Sequence, residues 1–444
     1  MSVLKICTPR PRSNASHHIR LLRLLVAVLL LFWFGAKNAS ADPRANRTPV
    51  LAQNLRVAVV TFGPGDHPFA KFGHDAIWVE LPDGRGAIYN FGTFGGETSS
   101  LLTKFLQGRF NYWLSVSRPA ETLHAYERDD RSVIIQDLAL SQSEKLDLWR
   151  RLEVNARPEN REYLYDYFKD NCSTRVRDAI DATLKGALKK ALLQKPARLN
   201  FRQHALRLAS DLPWLYVGLH FGLAQEADQP RNRWEEGFIP AGVQDSLASY
   251  SLSRGALEVP LVEKTSTFYQ ATRAPSLNEP PTTWPWFLLA GLGLGGVLFG
   301  LGSLAMKSRM ARVTFGTLAA LLSLVCGLLG VVLLFLWLFT NHQIAFKNEN
   351  LAFCPPWLLV SFVSSLGLAL GSQRLMALTR SVFRWTLGLA VLAVVLKLTP
   401  WFFQSNKEFA CFFLPLWTAL AVTTHRLLEA AQAASPVKHS TPLR

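Results

Sequence analysis

The sequence predicts a mixed α+β domain outside the cytoplasm, followed by an all-α bundle of about five transmembrane helices. Three observations predict this organisation. The N-terminal residues 1–41 have the pattern of an export signal, and residues 42–285 mix charged residues with short apolar runs. Five long apolar stretches then follow. A chain of 444 residues is also too long for one typical domain.

Residues 1–41 have the features of a cleavable signal peptide. Basic residues come first, namely Arg10, Arg12, Arg20 and Arg23. The apolar core Leu24–Phe34 is too short to span a bilayer, and Ala39-Ser40-Ala41 supplies the small residues that a signal peptidase requires. An uncleaved anchor is the alternative. The pattern favours cleavage, and the chain after residue 41 is then exported.

Residues 42–257 are predicted to form the extracytoplasmic α+β domain. Short apolar runs, several of them alternating with polar residues, predict the strands Leu55–Phe62, Ala76–Leu81, Ala87–Phe91, Asn111–Ser117 and Ser132–Leu138. The turn residues Pro82–Gly86 join the second and third of these strands as a hairpin. Helices are predicted over Ser99–Gln107, from the capping box at Ser141 to Ala156, and from Cys172 onward, with Asp170 or Asn171 as the cap.

The remaining chain is predicted to hold a tether, the membrane domain and a tail. Residues 258–285 are rich in proline and threonine and are predicted to be the tether. Residues 286–431 contain the apolar stretches Trp286–Ala305, Val313–Thr340, Pro356–Gly371, Trp385–Phe403 and Ala410–Thr424, and residues 432–444 form the tail. The third and fifth stretches are shorter than the usual ~20 residues of a transmembrane helix. The number of spans is therefore predicted as about five.

The connecting loops predict the orientation. Basic residues follow the first and third apolar stretches and occupy the tail, and they are Lys307, Arg309, Arg312, Arg374, Arg380, Arg384, Arg426, Lys438 and Arg444. The two other loops contain only Lys347 and Lys407. Because basic loops stay in the cytoplasm, this alternation places residues 42–285 outside it. The export signal and the loop charges predict the same orientation independently.

The formal net charge of +16 does not indicate a nucleic-acid partner. Much of the excess lies in the signal region and in the predicted cytoplasmic loops. Basic residues at those positions serve export and topology, and no polyanion is needed to explain them. Anionic lipid at the membrane surface is the expected neighbour of any remaining basic surface.

Cys172 is the only cysteine of the predicted extracytoplasmic domain. A single thiol cannot form an internal disulfide, and in an oxidising compartment a free thiol is a liability. It lies in the segment Asp170–Arg175 at the start of a predicted helix, where unpaired N–H groups and nearby arginines lower the pKa of a thiol. A buried structural cysteine is the alternative. The polar neighbours favour a nucleophile.

A thiol nucleophile needs a base, and His74 is the candidate. It lies at or just before the start of the first hairpin strand, where an imidazole is held rigidly. The competing histidines are His67, His124, His204 and His220. His67 and His74 could instead bind a metal with Asp66 or Asp75, but no second cysteine or HExxH spacing accompanies them. No metal is therefore expected.

No cofactor is expected either. Gly291-x-Gly293-x-x-Gly296 matches the dinucleotide-binding fingerprint letter by letter, but it lies within an apolar stretch. Glycines at such spacing in a transmembrane helix indicate close helix packing.

Phe72-Gly73-His74 on a strand, followed later by Asn171-Cys172 on a helix, resembles the circularly permuted papain-like thiol enzymes, which include the lecithin:retinol acyltransferase group. The wider pattern more closely resembles the Lnb N-terminal periplasmic domain family of bacterial envelope proteins. Its further matching pieces are Tyr89–Gly92, Tyr112–Leu114, Tyr165–Tyr167, Asp170–Arg175 and Phe238–Pro240. Together they span most of residues 55–245, and Asn341-His342 continues the resemblance weakly in an outer loop.

The resemblance implies a permuted papain-like (NlpC-type) domain that takes part in the N-acylation of bacterial lipoproteins at the inner (cytoplasmic) membrane. In that scheme Cys172 attacks an acyl ester of a membrane phospholipid or a lipoprotein. His74 removes the thiol proton and later assists the incoming amine. The acyl group then passes from the thioester to the N-terminal amine of a lipoprotein. Phospholipid and lipoproteins are thus the implied partners.

Further site residues follow from the same comparison. Asn90 is expected to orient the imidazole, with Asp75 and Tyr89 as open alternatives. Arg175, Asn171, Tyr89 and His342 are expected to contact substrate, although His342 is equally compatible with an interfacial histidine. The N-terminus of the helix at Cys172 is expected to stabilise the oxyanion.

Two other functions are compatible with the sequence. One is a thiol peptidase or amidase acting on cell-wall peptides, and the other is a non-catalytic membrane-assembly module in which Cys172 is merely packed. A single helix would suffice to anchor a hydrolase. About five helices instead favour a membrane part that helps to form a site for lipid.

Overall fold

The computed structural model describes residues 54–95 and 110–434. The predicted signal peptide (1–41), the predicted helix Ser99–Gln107 and the residues after 434 in the predicted tail lie outside the described residues. The described residues belong to the extracytoplasmic domain and the apolar helices.

The described part of the extracytoplasmic domain is built on a seven-stranded antiparallel sheet with the order β6-β4-β3-β2-β1-β5-β9. The strands are β1 (Arg56–Phe62), β2 (His74–Glu80), β3 (Gly86–Thr93), β4 (Phe110–Ser117), β5 (Val133–Leu138), β6 (Glu162–Tyr165), β7 (Ser251–Arg254), β8 (Leu257–Pro260) and β9 (Val262–Tyr269). Strands β7 and β8 form a separate two-stranded ribbon.

Eight helices of this domain are described, namely α1 (Pro119–Arg128), α2 (Gln142–Asn155), α3 (Cys172–Thr183), α4 (Ala187–Leu193), α5 (Phe201–Leu208), α6 (Pro213–Gly222), α7 (Arg233–Glu236) and α8 (Pro240–Ala248). The apolar helices follow as α9 (Trp284–Ala305), α10 (Arg309–Phe339), α11 (Leu358–Ala369), α12 (Gln373–Leu396) and α13 (Lys407–Ala433). The predicted α+β class is confirmed. The permuted papain-like topology stays a prediction.

The two faces of the sheet bury different clusters. On one face Ile77 and Val79 of β2 pack with the apolar residues of α2 and α3. On the other face Ala76 packs with Phe62 and with Leu123 of α1. Because side chains alternate along a strand, neighbouring residues of β2 point to opposite faces. This alternation decides what His74 and Asp75 can each contact.

Local signals in the sequence correspond to the observed elements. The hairpin predicted around Pro82–Gly86 is formed by β2 and β3 in antiparallel register. Ser141 and Glu144 form the predicted capping box of α2. Asn171, rather than Asp170, caps α3. These signals depend on local backbone chemistry, which is why the sequence suffices to identify them.

The predicted tether 258–285 is corrected in its first half. Strand β8 lies there, and β9 pairs with β5 as the edge strand of the main sheet. Alternation in β9 is weak, since half of its residues are exposed polar side chains such as Thr265 and Thr267. An edge strand of this kind has few apolar residues from which it can be predicted. The prolines that follow it therefore favoured a tether. Residues 270–283 contain no helix or strand.

Among the described residues, four helices are long and apolar enough to cross a membrane, namely α9, α10, α12 and α13. The third predicted stretch, Pro356–Gly371, forms the 12-residue helix α11, which is shorter than a span. The fifth predicted stretch lies within α13 and is extended to 27 residues by polar ends. The structure thus supports a membrane protein with four such helices, and a fifth span is not confirmed.

The segment between α10 and α11 packs deep against α10. A Cβ atom at Gly330 would lie 1.9 Å from the carbonyl oxygen of Cys354. Gly330 lies about 14 Å along the helix axis from the end of α10 at Phe339, at the rise of an α-helix. Irregular backbone at such a depth in a membrane requires internal hydrogen-bond partners. The residues around Asn348 provide them.

Buried polar side chains join this segment to the extracytoplasmic domain. Asn348 and Asn350 both donate to the carbonyl oxygen of Phe221 at the end of α6, at 2.9 and 2.8 Å. Gln404 donates to Asn348 and to the carbonyl oxygen of Leu223, both at 3.1 Å. We call Asn348, Asn350, Gln404 and their partners Glu349 and Lys397 the polar junction. These bonds fix the extracytoplasmic domain against the apolar helices.

Candidate active site

Asn171 fixes the helix end that carries Cys172. Its Oδ1 accepts the backbone N–H groups of Ser173 and Thr174 at 2.9 and 3.0 Å. Its Nδ2 donates to the carbonyl oxygens of Tyr167 and Phe238 at 2.8 and 2.9 Å. Every strong polar atom of this buried side chain is thus engaged within the protein. Asn171 therefore has no group left for substrate, contrary to the sequence prediction.

The thiol of Cys172 lies directly against strand β2. It is half-buried, and the backbone N–H of Asp75, the residue after His74, donates a hydrogen bond to it. Strand β3 approaches closely as well. A Cβ atom at Gly92 would lie 3.4 Å from Cβ of Cys172, and Gly92 has a φ of +85°. The sheet therefore holds the thiol beside the start of β2.

His74 begins β2 and lies on the sheet face of Phe62 and Tyr126. Its ring stacks on these two rings at centroid distances of 5.8 and 6.1 Å. Its ring is hydrogen-bonded to Asn90, and this bond raises the pKa of His74 against the larger, lowering effect of burial. The Nδ2 of Asn90 donates to Ser117 at 2.9 Å, which leaves Oδ1 to accept the imidazole N–H. The second ring nitrogen then carries a lone pair, as a base requires.

Burial sets the protonation states of the Cys172 thiol and the His74 imidazole. It raises the pKa of the Cys172 thiol to about 11, and the charge of Asp75 acts in the same direction. Burial also lowers the pKa of His74 to about 4, helped by the charge of Arg131. The expectation of a lowered thiol pKa was therefore wrong, because desolvation outweighs the helix N-terminus. At neutral pH the pair consists of a thiol and a neutral imidazole.

Asp75 points away from His74, toward α3. Its carboxylate accepts a hydrogen bond from Thr61 at 2.9 Å and is also contacted by Ser173. Burial raises its pKa to about 7. Because Asp75 faces the opposite side of the sheet from His74, it does not orient the imidazole. Asn90 is the partner that the structure provides.

Tyr89 is not at the site, contrary to the prediction that it contacts substrate. It is 1% exposed, and its hydroxyl donates to Glu153 and accepts from Trp149 on α2. Tyr89 precedes Asn90 on β3, so its side chain points to the other face of the sheet. It belongs to the core, and the alternation of β3 explains why.

Arg175 supports the loop before Cys172. Its guanidinium binds Asp170 through Nε and Nη2, the latter at 2.7 Å, and it lies 4.1 Å from the ring centroid of Tyr163. Two donors in a fork on one carboxylate form a strong and rigid pair. The structure therefore gives Arg175 a positioning role rather than the predicted contact with substrate.

His342 lies in the segment that reaches the extracytoplasmic domain from the apolar helices. Its neighbour Gln343 accepts a hydrogen bond from Lys169 at 3.2 Å, three residues before Cys172. Ile344 packs on the cluster that contains Phe72 and Phe168. The outer loop therefore contacts the segments that precede both His74 and Cys172. A contact of His342 with substrate stays a prediction.

The competing histidines have partners elsewhere. His204 binds Glu236 at 2.9 Å and His220 binds Glu408 at 3.0 Å, and both histidines are buried. His124 lies exposed beside Glu127, and His67 caps a short 3-10 helix. None of these four is placed beside Cys172, and His74 is one residue from the N–H that binds the thiol.

The structure adds residues that the sequence did not indicate. Arg131 and Tyr126 lie beside His74, and the charge of Cys172 affects the pKa of both. Tyr112, Tyr163 and Tyr165 surround the thiol from β4 and β6, since its charge affects the pKa of each. Of these residues, the sequence singled out only Tyr112 and Tyr165, as parts of the segments that resemble the family. Arg131 follows two aspartates and has the pattern of a surface residue.

Comparison with known proteins supports the predicted family. Residues 42–205 match the family model described as the Lnb N-terminal periplasmic domain, which is the family that the sequence resembles. The match includes His74, Asn90 and Cys172. No curated protein and no solved structure matches the chain.

Proposed function

We propose that this protein, whose residues 42–205 match the Lnb N-terminal periplasmic domain, is a thiol acyltransferase of the bacterial inner membrane. It moves a fatty acyl group from a phospholipid or lipoprotein ester to the N-terminal amine of a lipoprotein through a thioester on Cys172. One observation carries the proposal. Cys172 at the start of α3 packs against Gly92 of β3, and the adjacent strand β2 begins at His74, whose ring is hydrogen-bonded to Asn90.

The first half-reaction forms the thioester. As the Cys172 sulfur attacks the ester carbonyl carbon, His74 takes the thiol proton, and it then gives this proton to the departing glyceryl oxygen. A neutral pair suits this step, because neither the thiol nor the imidazole is charged before the substrate arrives. Asn90 keeps the imidazole in the tautomer whose free nitrogen is the base.

The oxyanion of this step requires donors. The N–H groups of Ser173 and Thr174 are already bound by Asn171, so they do not serve, contrary to the general expectation for the helix end. The N–H of Cys172 has no acceptor within the described residues, as is usual for the first residue of a helix. We assign this N–H to the oxyanion.

The second half-reaction transfers the acyl group. The N-terminal amine of the acceptor attacks the thioester carbonyl, His74 accepts the amine proton, and the Cys172 sulfur leaves and is reprotonated. The products are an amide and the free thiol, so no cofactor is consumed. Water in place of the amine would give hydrolysis, so the acceptor distinguishes a transferase from a thiol hydrolase.

Transfer to lipid-linked amines fits the surroundings of the site. Phe69 and Phe94 lie 5.9 Å apart and are 60% and 43% exposed. Phe94 follows β3 and also contacts Tyr112, whose pKa the Cys172 charge affects. Exposed aromatic rings beside a thiol suit an acyl chain. The polar junction keeps this domain on the apolar helices, where lipid substrates are found.

The test is mass spectrometry of lipoprotein N-termini from cells that express the full-length protein. Cells with the wild-type chain or with Cys411→Ala should contain N-acylated lipoproteins, and an acyl thioester should be trapped on Cys172. Cells with Cys172→Ala should lose both. Cys411 is a matched control because it is also half-buried but lies on α13. Unchanged N-termini without any thioester on Cys172 would overturn the proposal.

A further inference from the structure

We infer that Arg131 binds the phosphodiester group of a glycerophospholipid beside Cys172 and His74. If the proposed acyl transfer is right, the inference selects a phospholipid as the acyl donor over a neutral diacylglyceryl ester. Arg131 is buried, one of its donors lacks a partner, and it lies close to His74.

Arg131 is a buried cation with a free donor. It lies between α1 and β5 and is 8% exposed. Its Nε donates to the carbonyl oxygen of Gly63 at 2.8 Å, and its guanidinium lies 4.6 Å from the ring centroid of Tyr126. Its Nη2 has no hydrogen-bond partner. A buried donor without a partner is costly to keep, so a ligand that satisfies it is expected to bind.

The charge of Arg131 is not balanced inside the described part of the protein. No carboxylate there lies within salt-bridge distance of it. The adjacent Asp130 accepts hydrogen bonds from Tyr269 and Thr272, and it also contacts Arg273. Burial lowers the pKa of Arg131 although the charge of the nearby Asp129 acts in the opposite direction, and Asp129 forms no salt bridge with it. An external anion would supply a counter-ion.

An anion on Arg131 would lie next to the reacting groups. The ring of Tyr126 contacts both the guanidinium and His74. The charge of Arg131 lowers the pKa of His74, and the charge of Cys172 raises that of Arg131. Because Tyr126 contacts both groups, an anion on Arg131 would lie on the side of the sheet that carries His74, where one substrate molecule can present both the anion and the reacting carbonyl.

The loop over Arg131 favours a lipid. A Cβ atom at Gly65 would lie 2.9 Å from Cβ of Ala70 and 3.1 Å from Cδ of Arg131, so the loop 63–70 packs closely on the arginine stem. The same loop presents the exposed ring of Phe69. The site thus combines an anion-binding guanidinium with an apolar surface.

A glycerophospholipid has both matching groups. Its phosphodiester is a few bonds from each acyl ester, and arginine binds phosphate oxygens strongly through charge-assisted hydrogen bonds. A diacylglyceryl ester has acyl chains but no anion at this position. The unpaired Nη2 therefore favours the phospholipid over the diacylglyceryl ester as the acyl donor. We assign this Nη2 to the phosphate.

The experiment measures protection of Cys172 from iodoacetamide at pH 9, in the full-length protein in detergent. The probes are a short-chain dialkyl ether phosphatidylglycerol, the matching neutral dialkylglycerol and inorganic phosphate. Ether lipids contain no acyl ester, so protection reports binding without acyl transfer. Labelling is read at the Cys172 peptide by mass spectrometry, because other cysteines are present.

The ether phospholipid should protect Cys172 in the wild-type chain and in Arg128→Gln, which removes a nearby exposed arginine. Arg131→Gln should weaken the apparent affinity roughly tenfold or more, as expected for the loss of a hydrogen bond to a charged group. Arg131→Lys keeps the charge and should restore part of the protection, which separates binding from misfolding. The neutral lipid should protect poorly in every variant.

Three results would overturn the inference. They are equal protection by the neutral lipid, equal protection by inorganic phosphate at the same concentration, and equal affinities in Arg131→Gln and Arg128→Gln. The proposed transferase activity is tested separately with ester phosphatidylglycerol. If Arg131-dependent protection occurs but no acyl thioester forms, the proposed function is wrong and the phosphate site stands.

Discussion

The thiol of Cys172 and the carboxylate of Asp75 lie close together, although the negative charge of Asp75 disfavours the thiolate. The backbone N–H of Asp75 donates to the thiol, whereas the charge of its side chain raises the thiol pKa. One residue of β2 thus positions the nucleophile and keeps it protonated. In the proposed mechanism His74, the preceding residue, takes the thiol proton.

Removing this carboxylate should make the thiol more acidic. Asp75→Asn eliminates the second largest cause of the raised pKa, while the backbone N–H remains. At pH 8 we expect iodoacetamide to alkylate Cys172 several-fold faster in Asp75→Asn than in the wild type, because the thiolate fraction rises as the pKa falls. Asp137→Asn, on β5 of the same sheet, is the control. A slower or unchanged rate would contradict the electrostatic role of Asp75.

Asp75 should also make stability depend on pH. Its folded pKa of about 7 lies above the ordinary value of 3.8, so the folded state binds the proton more tightly than the unfolded state. Its stabilising contribution is complete below pH ~4 and is lost as the pH rises through about 7. The loss is on the order of 4 kcal/mol, at 1.36 kcal/mol per pKa unit.

The measurement is thermal unfolding of the wild type and Asp75→Asn at pH 5 and pH 8. Asp75→Asn has no carboxylate to ionise, so its melting temperature should fall less between these two values. His74 acts in the opposite sense, since its lowered pKa removes stability as the pH falls from 6.5 toward about 4. Comparing the two proteins cancels this contribution. If the melting temperatures of the two proteins change equally between pH 5 and pH 8, Asp75 does not ionise in this range.

Asn90 should matter for catalysis and little for folding. Asn90→Ala removes the acceptor that orients His74, and we expect the rate of Cys172 acylation to fall about 10²-fold, in the range of a general-base contribution. Asn111→Ala changes an exposed residue on β4 and should leave the rate within twofold of wild type. Equal rates for the two variants would remove Asn90 from the mechanism.

How much the sequence predicted depends on the range of the interactions. The hairpin of β2 and β3 and the caps at Ser141 and Asn171 are local, and they were predicted correctly. Cys172 and His74 were selected by residue type and element position alone. Arg131 was missed because its environment comes from distant residues such as Gly63 and His74.

The roles of neighbouring residues were harder to predict than their presence. Tyr89 and Asn90 are adjacent in sequence, yet only Asn90 faces His74. A register error of one residue exchanges the two faces of a strand, and no sequence pattern fixed that register. The raised pKa of Cys172 was also unpredictable, because burial is a property of the whole fold.

The polar junction should stabilise the full-length protein. Glu349 and Lys397 form an ion pair, and Glu349 also accepts the N–H of Gln404 at 3.0 Å. Lys397→Met leaves a buried carboxylate without its cation and should cost about 3–5 kcal/mol in the free energy of unfolding. Glu349→Gln combined with Lys397→Met should recover part of this loss. A double-mutant cycle by thermal unfolding in detergent checks the coupling, and additive effects would exclude it.

Gly92 and Gly84 allow a matched test of how closely β3 must approach the nucleophile. Both have positive φ, +85° and +78°, so an alanine at either position has similar backbone strain, about 1 kcal/mol. Only at Gly92 does the new Cβ meet the nucleophile, 3.4 Å from Cβ of Cys172, whereas the space around Gly84 is open. Gly92→Ala should therefore lower the acylation rate several-fold, because its Cβ is in van der Waals contact with Cys172 and a shift of the strained strand there moves the thiol. Gly84→Ala should lower the melting temperature to a similar degree and keep the wild-type rate. If both variants acylate Cys172 equally fast, the contact between Gly92 and Cys172 does not position the thiol.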